Sequence, residues 1–277
     1  GAVLCHHQAH INVDECGAPE MYSGGAKIVG VGGPGAKIDP AALQETLKRV
    51  GPLRPHHVKP TALSISQVTE AGRVYRAEEI EALTAIAHAN GLKVHMDGAR
   101  FANALVSTNA SPADITWKAG VDVLCFGATK AGAMAAEAII CFDPEIAENM
   151  DYRRKRAGHL WSKHRFLAAQ WKGFLENDHW RELASHANAM AARLAAGIVS
   201  RGIGRLPFAA DANEVFPVLK FKDAARAQAA GAVFYPWSPH GLELSDGPQE
   251  DEDFYRFVTS FVTSQAEVDG VLDLLAE

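Results

Sequence analysis

His95-Met96-Asp97-Gly98-Ala99-Arg100, followed by Phe126-Gly127-Ala128-Thr129-Lys130, decides the reading of this chain. Each stretch continues a short apolar run, over residues 93–96 in the first case and 121–127 in the second. Apolar runs of this length read as buried strands. The first delivers an aspartate and an arginine to one loop, and the second delivers a lysine to another. In open sheets of strands alternating with helices, ligands bind beyond the carboxyl ends of the strands. The two stretches thus predict an architecture and the edge of it that carries chemistry.

Working outward, residues 2–5, 27–31 and 62–67 form further apolar runs. Helix signals lie between them. Asp39-Pro40 is an N-cap followed by proline at the first helical position, with a helix on to Val50. Residues 77–90 place Leu83, Ile86 and Ala87 on one face and end at Gly91, a C-cap residue. Ser111-Pro112 predicts another short helix. The alternation predicts an α/β fold with a mainly parallel sheet covered on both faces. After Pro144 the pattern changes. Residues 144–201 read as nearly continuous helix broken by short turns, with strands at 215–221, 233–235 and 254–260 and a last helix from Gln265. This predicts a large domain over 1–177 and a smaller α+β domain over 178–277, divided near Asn177.

Of 277 residues, 48% are hydrophobic, which suits a chain with a sizeable core. A net charge of −6 gives no electrostatic case for nucleic acid or an anionic membrane surface. No apolar run approaches the roughly 20 residues that span a bilayer. The four cysteines, Cys5, Cys16, Cys125 and Cys141, do not form a disulfide framework, and Cys125 and Cys141 read as buried thiols in strands. A reducing cytoplasm is the expected compartment. The chain opens at Gly1 directly into an apolar run, without a signal peptide, as a chain trimmed at its start would.

Taken singly, Lys130 fits an ordinary loop and Asp97 an ordinary strand end. Together they supply what pyridoxal phosphate (PLP) chemistry needs: an amine for a Schiff base, and a carboxylate that keeps the pyridine nitrogen protonated. The small residues around Lys130 let a flat ring approach the backbone.

With these motifs the chain resembles the low-specificity threonine aldolases of the β-eliminating lyase superfamily, fold type I PLP enzymes. Two further segments carry the resemblance. His10-Ile11-Asn12-Val13-Asp14-Glu15-Cys16-Gly17-Ala18-Pro19 is similar to the segment whose histidine stacks on the cofactor ring. Arg256-Phe257-Val258-Thr259 is similar to the segment whose arginine grips the substrate carboxylate. The resemblance implies a PLP-transferase-like large domain and cleavage of L-threonine, L-allo-threonine and related β-hydroxy-α-amino acids to glycine and an aldehyde. It implies Lys130 as the Schiff-base lysine, Asp97 at the pyridine nitrogen and His10 on the ring face. Arg100 would lie near the cofactor and the substrate carboxylate, and Arg256 would bind that carboxylate as a fork. Lys163 would stand near the phosphate, in many relatives from a neighbouring subunit. A homodimer or homotetramer with sites between subunits follows from the same resemblance.

Two departures accompany it. Family members carry some tens of residues ahead of the point where this sequence opens, including a loop that binds phosphate at a helix N-terminus. The run Gly32-Gly33-Pro34-Gly35 does not replace it, because proline removes a donor, and it reads as a turn. Second, Gln67-Val68-Thr69-Glu70 carries Glu70 where some relatives place a histidine that contacts the substrate hydroxyl. Glu70 is thus a candidate base and Thr69 a candidate substrate contact.

The histidine-rich start (Cys5, His6, His7, His10, Cys16) matches no standard zinc spacing, and alternation points His6 and His7 to opposite faces. No metal is expected, and His6 and His7 read as ordinary strand-end residues. The run Arg153-Arg154-Lys155-Arg156 reads as a solvated helix face or a subunit contact. Two other outcomes fit the sequence: a β-eliminating PLP lyase using the same lysine and aspartate, and a shortened, inactive form.

Overall fold

A computed structural model describes residues 1–277. A six-stranded sheet runs in the order β2-β1-β3-β4-β5-β6. Its strands are β1 (Ala2–His6), β2 (Lys27–Val31), β3 (Pro60–Ser66), β4 (Lys93–Gly98), β5 (Val123–Gly127) and β6 (Glu137–Cys141). The first five run parallel, and β6 returns antiparallel along β5. The chain order reverses between β1 and β3, which opens a crevice at the carboxyl ends of these strands.

The helices that return the chain follow their sequence signals. Pro40–Val50 starts on Asp39, whose carboxylate accepts the Ala42 amide at 2.8 Å. Ala77–Ala89 buries Ile80, Leu83 and Ala87 against Leu63, Ile65, Val94 and Met96 in one core. Phe126, at the end of β5, sits among Phe101, Trp171, Phe174 and Trp180, with ring centroids 5.0–6.3 Å away. This aromatic cluster joins the strand leading to Lys130 to helices Arg165–Leu175 and His179–Ser200.

The sheet is less uniformly apolar than the pattern predicts. Alternation puts Val94 and Met96 in the core, while His95 and Asp97 share the other face with Ser64, Ser66 and Cys125, their neighbours in register. Cys125 and Cys141 are half-buried rather than fully buried, and all four thiols are free.

A second, antiparallel sheet contains β7 (Gly204–Arg205), β8 (Glu214–Val215), β9 (Val218–Lys220), β10 (Tyr235–Pro236) and β11 (Glu252–Val258), in the order β10-β11-β9-β7 with β8 on β11. Helices Phe221–Ala229 and Gln265–Ala276 pack on its core. The helix His179–Ser200 serves both cores, with Trp180 and Ala184 in the first and Leu194 and Ile198 in the second. The backbone turns sharply ahead of it, at Asn177 and Asp178, both at positive φ.

Three expectations fail locally. The strand expected over 215–221 is split, because Pro217 has no N–H to give a ladder, and Phe221 opens a helix instead. No α-helix follows Ser111-Pro112, only a 3-10 turn at Trp117–Ala119. The Asp114 carboxylate takes the Ser111 hydroxyl at 2.6 Å and its amide at 3.2 Å, and the segment closes as turns. Its helix lies earlier, at Phe101–Thr108. The strand expected at 233–235 is displaced to Tyr235–Pro236. No helix is long and apolar enough to cross a membrane.

Candidate active site

The carboxyl ends of β1, β3, β4 and β5 bring five of the eight sequence-predicted residues into one row, and the second sheet adds a sixth. The row starts at the β1–β3 crevice. His10 opens the short helix His10–Val13, and its backbone N–H donates to Glu70 Oε1 at 2.9 Å. Ser66, the last residue of β3, donates its hydroxyl to the same oxygen at 2.7 Å. Ser66 lies in register with Asp97, and Asp97 with Cys125.

Asp97 is held by its own loop, with Oδ1 accepting the Ala99 amide at 3.0 Å. Two glycines let this loop and the next strand touch. A Cβ on Gly98 would lie 2.7 Å from the Cys125 carbonyl oxygen, and one on Gly127 would lie 3.0 Å from Ala99 Cα. The absence of side chains at both positions therefore packs the Asp97–Arg100 loop onto β5. Lys130 follows in the single turn Thr129–Ala131, exposed and without a carboxylate partner. That turn is braced by Ala136, whose amide donates to Thr129 Oγ1 at 3.1 Å and whose carbonyl accepts the Ala128 amide at 3.0 Å.

Charge is unevenly distributed along the row. Burial pushes the Glu70 carboxyl up to about 7, against the pull of its bonds from Ser66 and His10; the nearby Asp97 charge pushes it further. Its second oxygen, Oε2, is buried and has no partner. Beneath Asp97, the His95 ring is flanked by Ser64 Oγ at 2.8 Å and Cys125 Sγ at 3.3 Å. Burial lowers the His95 pKa and pushes the Cys125 thiol up to about 11.

Arg256, on β11, meets Arg100 at a residue that sequence reasoning missed. Glu214 Oε1 accepts Arg256 Nε at 2.9 Å and Nη2 at 2.6 Å, and lies 3.2 Å from Arg100 Nη2. Arg256 also stacks on Trp237, 4.6 Å from the ring centroid. The available signal was an acid directly ahead of the apolar run Val215-Phe216-Pro217-Val218-Leu219.

The family model for beta-eliminating lyases matches residues 1–221. The chain belongs to the beta-eliminating lyase family. A low specificity L-threonine aldolase of Pseudomonas sp. (strain NCIMB 10558) is 45% identical over 267 residues, covering 96% of this chain and 73% of the relative. A protein of the same name from Pseudomonas aeruginosa is 45% identical over 242 residues, covering 87% and 69%. Among solved structures, the threonine aldolase of Leishmania major superposes with a TM-score of 0.88 at 30% identity, over 99% of this chain and 76% of the other.

In this member of the family, two predicted residues stand apart from the row. Thr69 is buried, and its hydroxyl donates to the Gly35 carbonyl at 2.9 Å while accepting the Arg73 amide at 3.1 Å. These hydrogen bonds shape the loop. Lys163 is exposed in the turn ahead of Arg165–Leu175, with no side-chain hydrogen bond or ion pair. His10 stands in the row, but its ring is engaged by Glu15, with Nδ1 2.7 Å from Oε1. The buried His6 ring spans Gly33 O and the Gln8 amide, both at 3.0 Å, as a strand-end residue does. Gly33 lies in the turn read from Gly32-Gly33-Pro34-Gly35.

Proposed function

We propose that this lyase is a PLP-dependent aldolase that cleaves L-threonine, L-allo-threonine and related β-hydroxy-α-amino acids to glycine and an aldehyde. The observation that carries the reading is the row at the strand ends from His10 through Glu70, Ser66 and Asp97, with the Lys130 turn following β5 and two arginines at its flank. The relatives that bear the aldolase name support it.

The residues present suit PLP. Asp97 has one oxygen fixed by Ala99 and the other free to face a protonated ring nitrogen, while the Lys130 amine is free of any carboxylate. When bound, PLP supplies an electron sink for the Cα–Cβ bond. The chain's own groups do the rest. Arg256 and Arg100 bind the substrate carboxylate and so orient the Cα–Cβ bond. Glu70 takes the β-hydroxyl proton at Oε2, its unpartnered oxygen. The His10 ring turns from Glu15 to cover the cofactor face. Lys163 reaches the phosphate from a neighbouring copy in a homodimer or homotetramer. The exposed Met134, Ile139, Trp161 and Phe166 supply apolar surface for such an assembly. Four free thiols suit a reducing cytoplasm.

The test is direct. Purified protein with PLP added turns yellow and releases glycine and aldehyde from L-threonine in equal amounts. Ammonia and a keto acid instead would make it a β-eliminating enzyme, and neither product would make it inactive as this chain.

A further inference from the structure

We infer that Glu214 is the positioning residue of the carboxylate site: one buried oxygen anchors both Arg256 and Arg100 and sets which of their N–H groups face the substrate. The inference rests on the reading that these arginines bind the substrate carboxylate.

Guanidinium is planar, with five N–H donors in a fixed fork. Glu214 Oε1 consumes the Nε–Nη2 edge of Arg256, and Trp237 covers a face of the same group. One edge and one face are thereby fixed, and the Nη1 end remains for an incoming anion. Arg100 Nη2 is drawn to the same oxygen, while its Nε is buried without a partner. The Glu214 side chain is 1% exposed, against 14% for Arg100 and 25% for Arg256. A buried carboxylate between two half-shielded cations leaves the trio with one net positive charge, matched to a single carboxylate. Without it the two guanidinium groups would repel each other in a poorly solvated site.

Glu214 is itself held firmly. On β8 it pairs with Val258 of β11, and neighbouring Asn213 donates its side-chain amide to the Thr259 carbonyl at 2.8 Å. Two residues further back from Asn213, Asp211 takes Arg73 Nε at 2.7 Å and the Val74 amide at 3.1 Å. The turn after β3 approaches so closely that a Cβ on Gly72 would lie 3.2 Å from Glu214 O. The acid that orients both arginines is thus clamped between the loop that carries Glu70 and the strand that carries Arg256. Its Oε2 has no partner, so glutamine fits with its carbonyl at the Oε1 position and its NH2 at the other.

The experiment uses PLP-loaded enzyme, L-threonine as substrate, and 1-aminopropan-2-ol, which is threonine without its carboxylate, as competitive inhibitor. Replacing a charged acceptor with a neutral one in Glu214→Gln raises KM for L-threonine about tenfold and changes kcat far less; Glu214→Ala raises KM further. Both leave the inhibition constant of the amino alcohol unchanged. Glu214→Asp, which keeps the charge but retracts the oxygen, raises KM with the same indifference to the amine and serves if either other variant does not fold. Arg256→Ala is the control. A raised KM in Arg256→Ala beside an unchanged KM in the folded Glu214 variants overturns the inference alone. Equal weakening of threonine and the amino alcohol also overturns it, as general damage to the site. An unchanged KM in Arg256→Ala overturns instead the reading that the arginines bind the carboxylate.

Discussion

Glu70 Oε1 accepts the backbone N–H of His10 at 2.9 Å, which pins the loop after β1 to the loop after β3 across the crevice where the sheet reverses its order. The bond leaves the second Glu70 oxygen buried and free. Burial raises this carboxyl from 4.5 to about 7. The folded protein then holds the proton more tightly than the unfolded chain between those values. The stability this group contributes is full below pH 4.5 and is lost as pH rises to about 7. Glu70→Gln removes that slope, so denaturant unfolding at pH 5 and pH 8 shows a smaller pH-linked loss in the variant than in the parent. In the active enzyme, kcat/KM rises with pH through about 7 as the base ionises, and this limb is absent from Glu70→Gln. A limb that persists in the variant removes Glu70 as the base.

Lys130 stands beyond β5 on a turn whose bracing comes from the backbone and Thr129. Lys130→Ala therefore keeps its fold and melting temperature. It loses cofactor that survives borohydride reduction and denaturation, and its turnover falls by about 10³-fold or more. Covalently retained cofactor in the variant would place the Schiff base on another lysine.

Arg256→Ala raises KM for L-threonine by about tenfold to a hundredfold, as expected for loss of a charged hydrogen-bond pair to a carboxylate. Steady-state kinetics on the PLP-loaded protein measure this.

The position of Thr69 gives a prediction of opposite kind. Thr69→Val leaves the Gly35 carbonyl and the Arg73 amide short of a partner and costs about 1–3 kcal/mol of stability. KM for threonine in the folded variant stays at the parent value. A raised KM with unchanged stability would return Thr69 to the substrate.

Phe126→Ala empties the centre of the aromatic cluster and costs about 3–5 kcal/mol, read as a lowered denaturant midpoint.

Much of the fold is legible along the chain because its signals are local. Asp39-Pro40 carries its own cap and fixed φ, and the helix begins there. Strand β2 and the helix Gln265–Ala276 start where apolar pattern and cap place them. The second sheet is harder to read. Its strands are two or three residues long apart from β11, and a single Pro217 divides what the apolar pattern joins.

The same division runs through the site. Sequence by itself determined the residue types and the strand ends that carry them, since Asp97, Arg100 and Lys130 each come after an apolar run that can be recognised, with Asp97 near the end of β4 itself. Tertiary structure alone decided their partners. Glu214 lies between Arg100 and Arg256 only because β8 pairs with β11 while its flank packs on the turn after β3. Glu70 has a raised pKa only because the fold buries it beside Asp97. Patterning reports which face of an element is apolar; it cannot report which charged groups from distant segments share a low-dielectric space, because their interaction depends on distance and burial rather than on order along the chain.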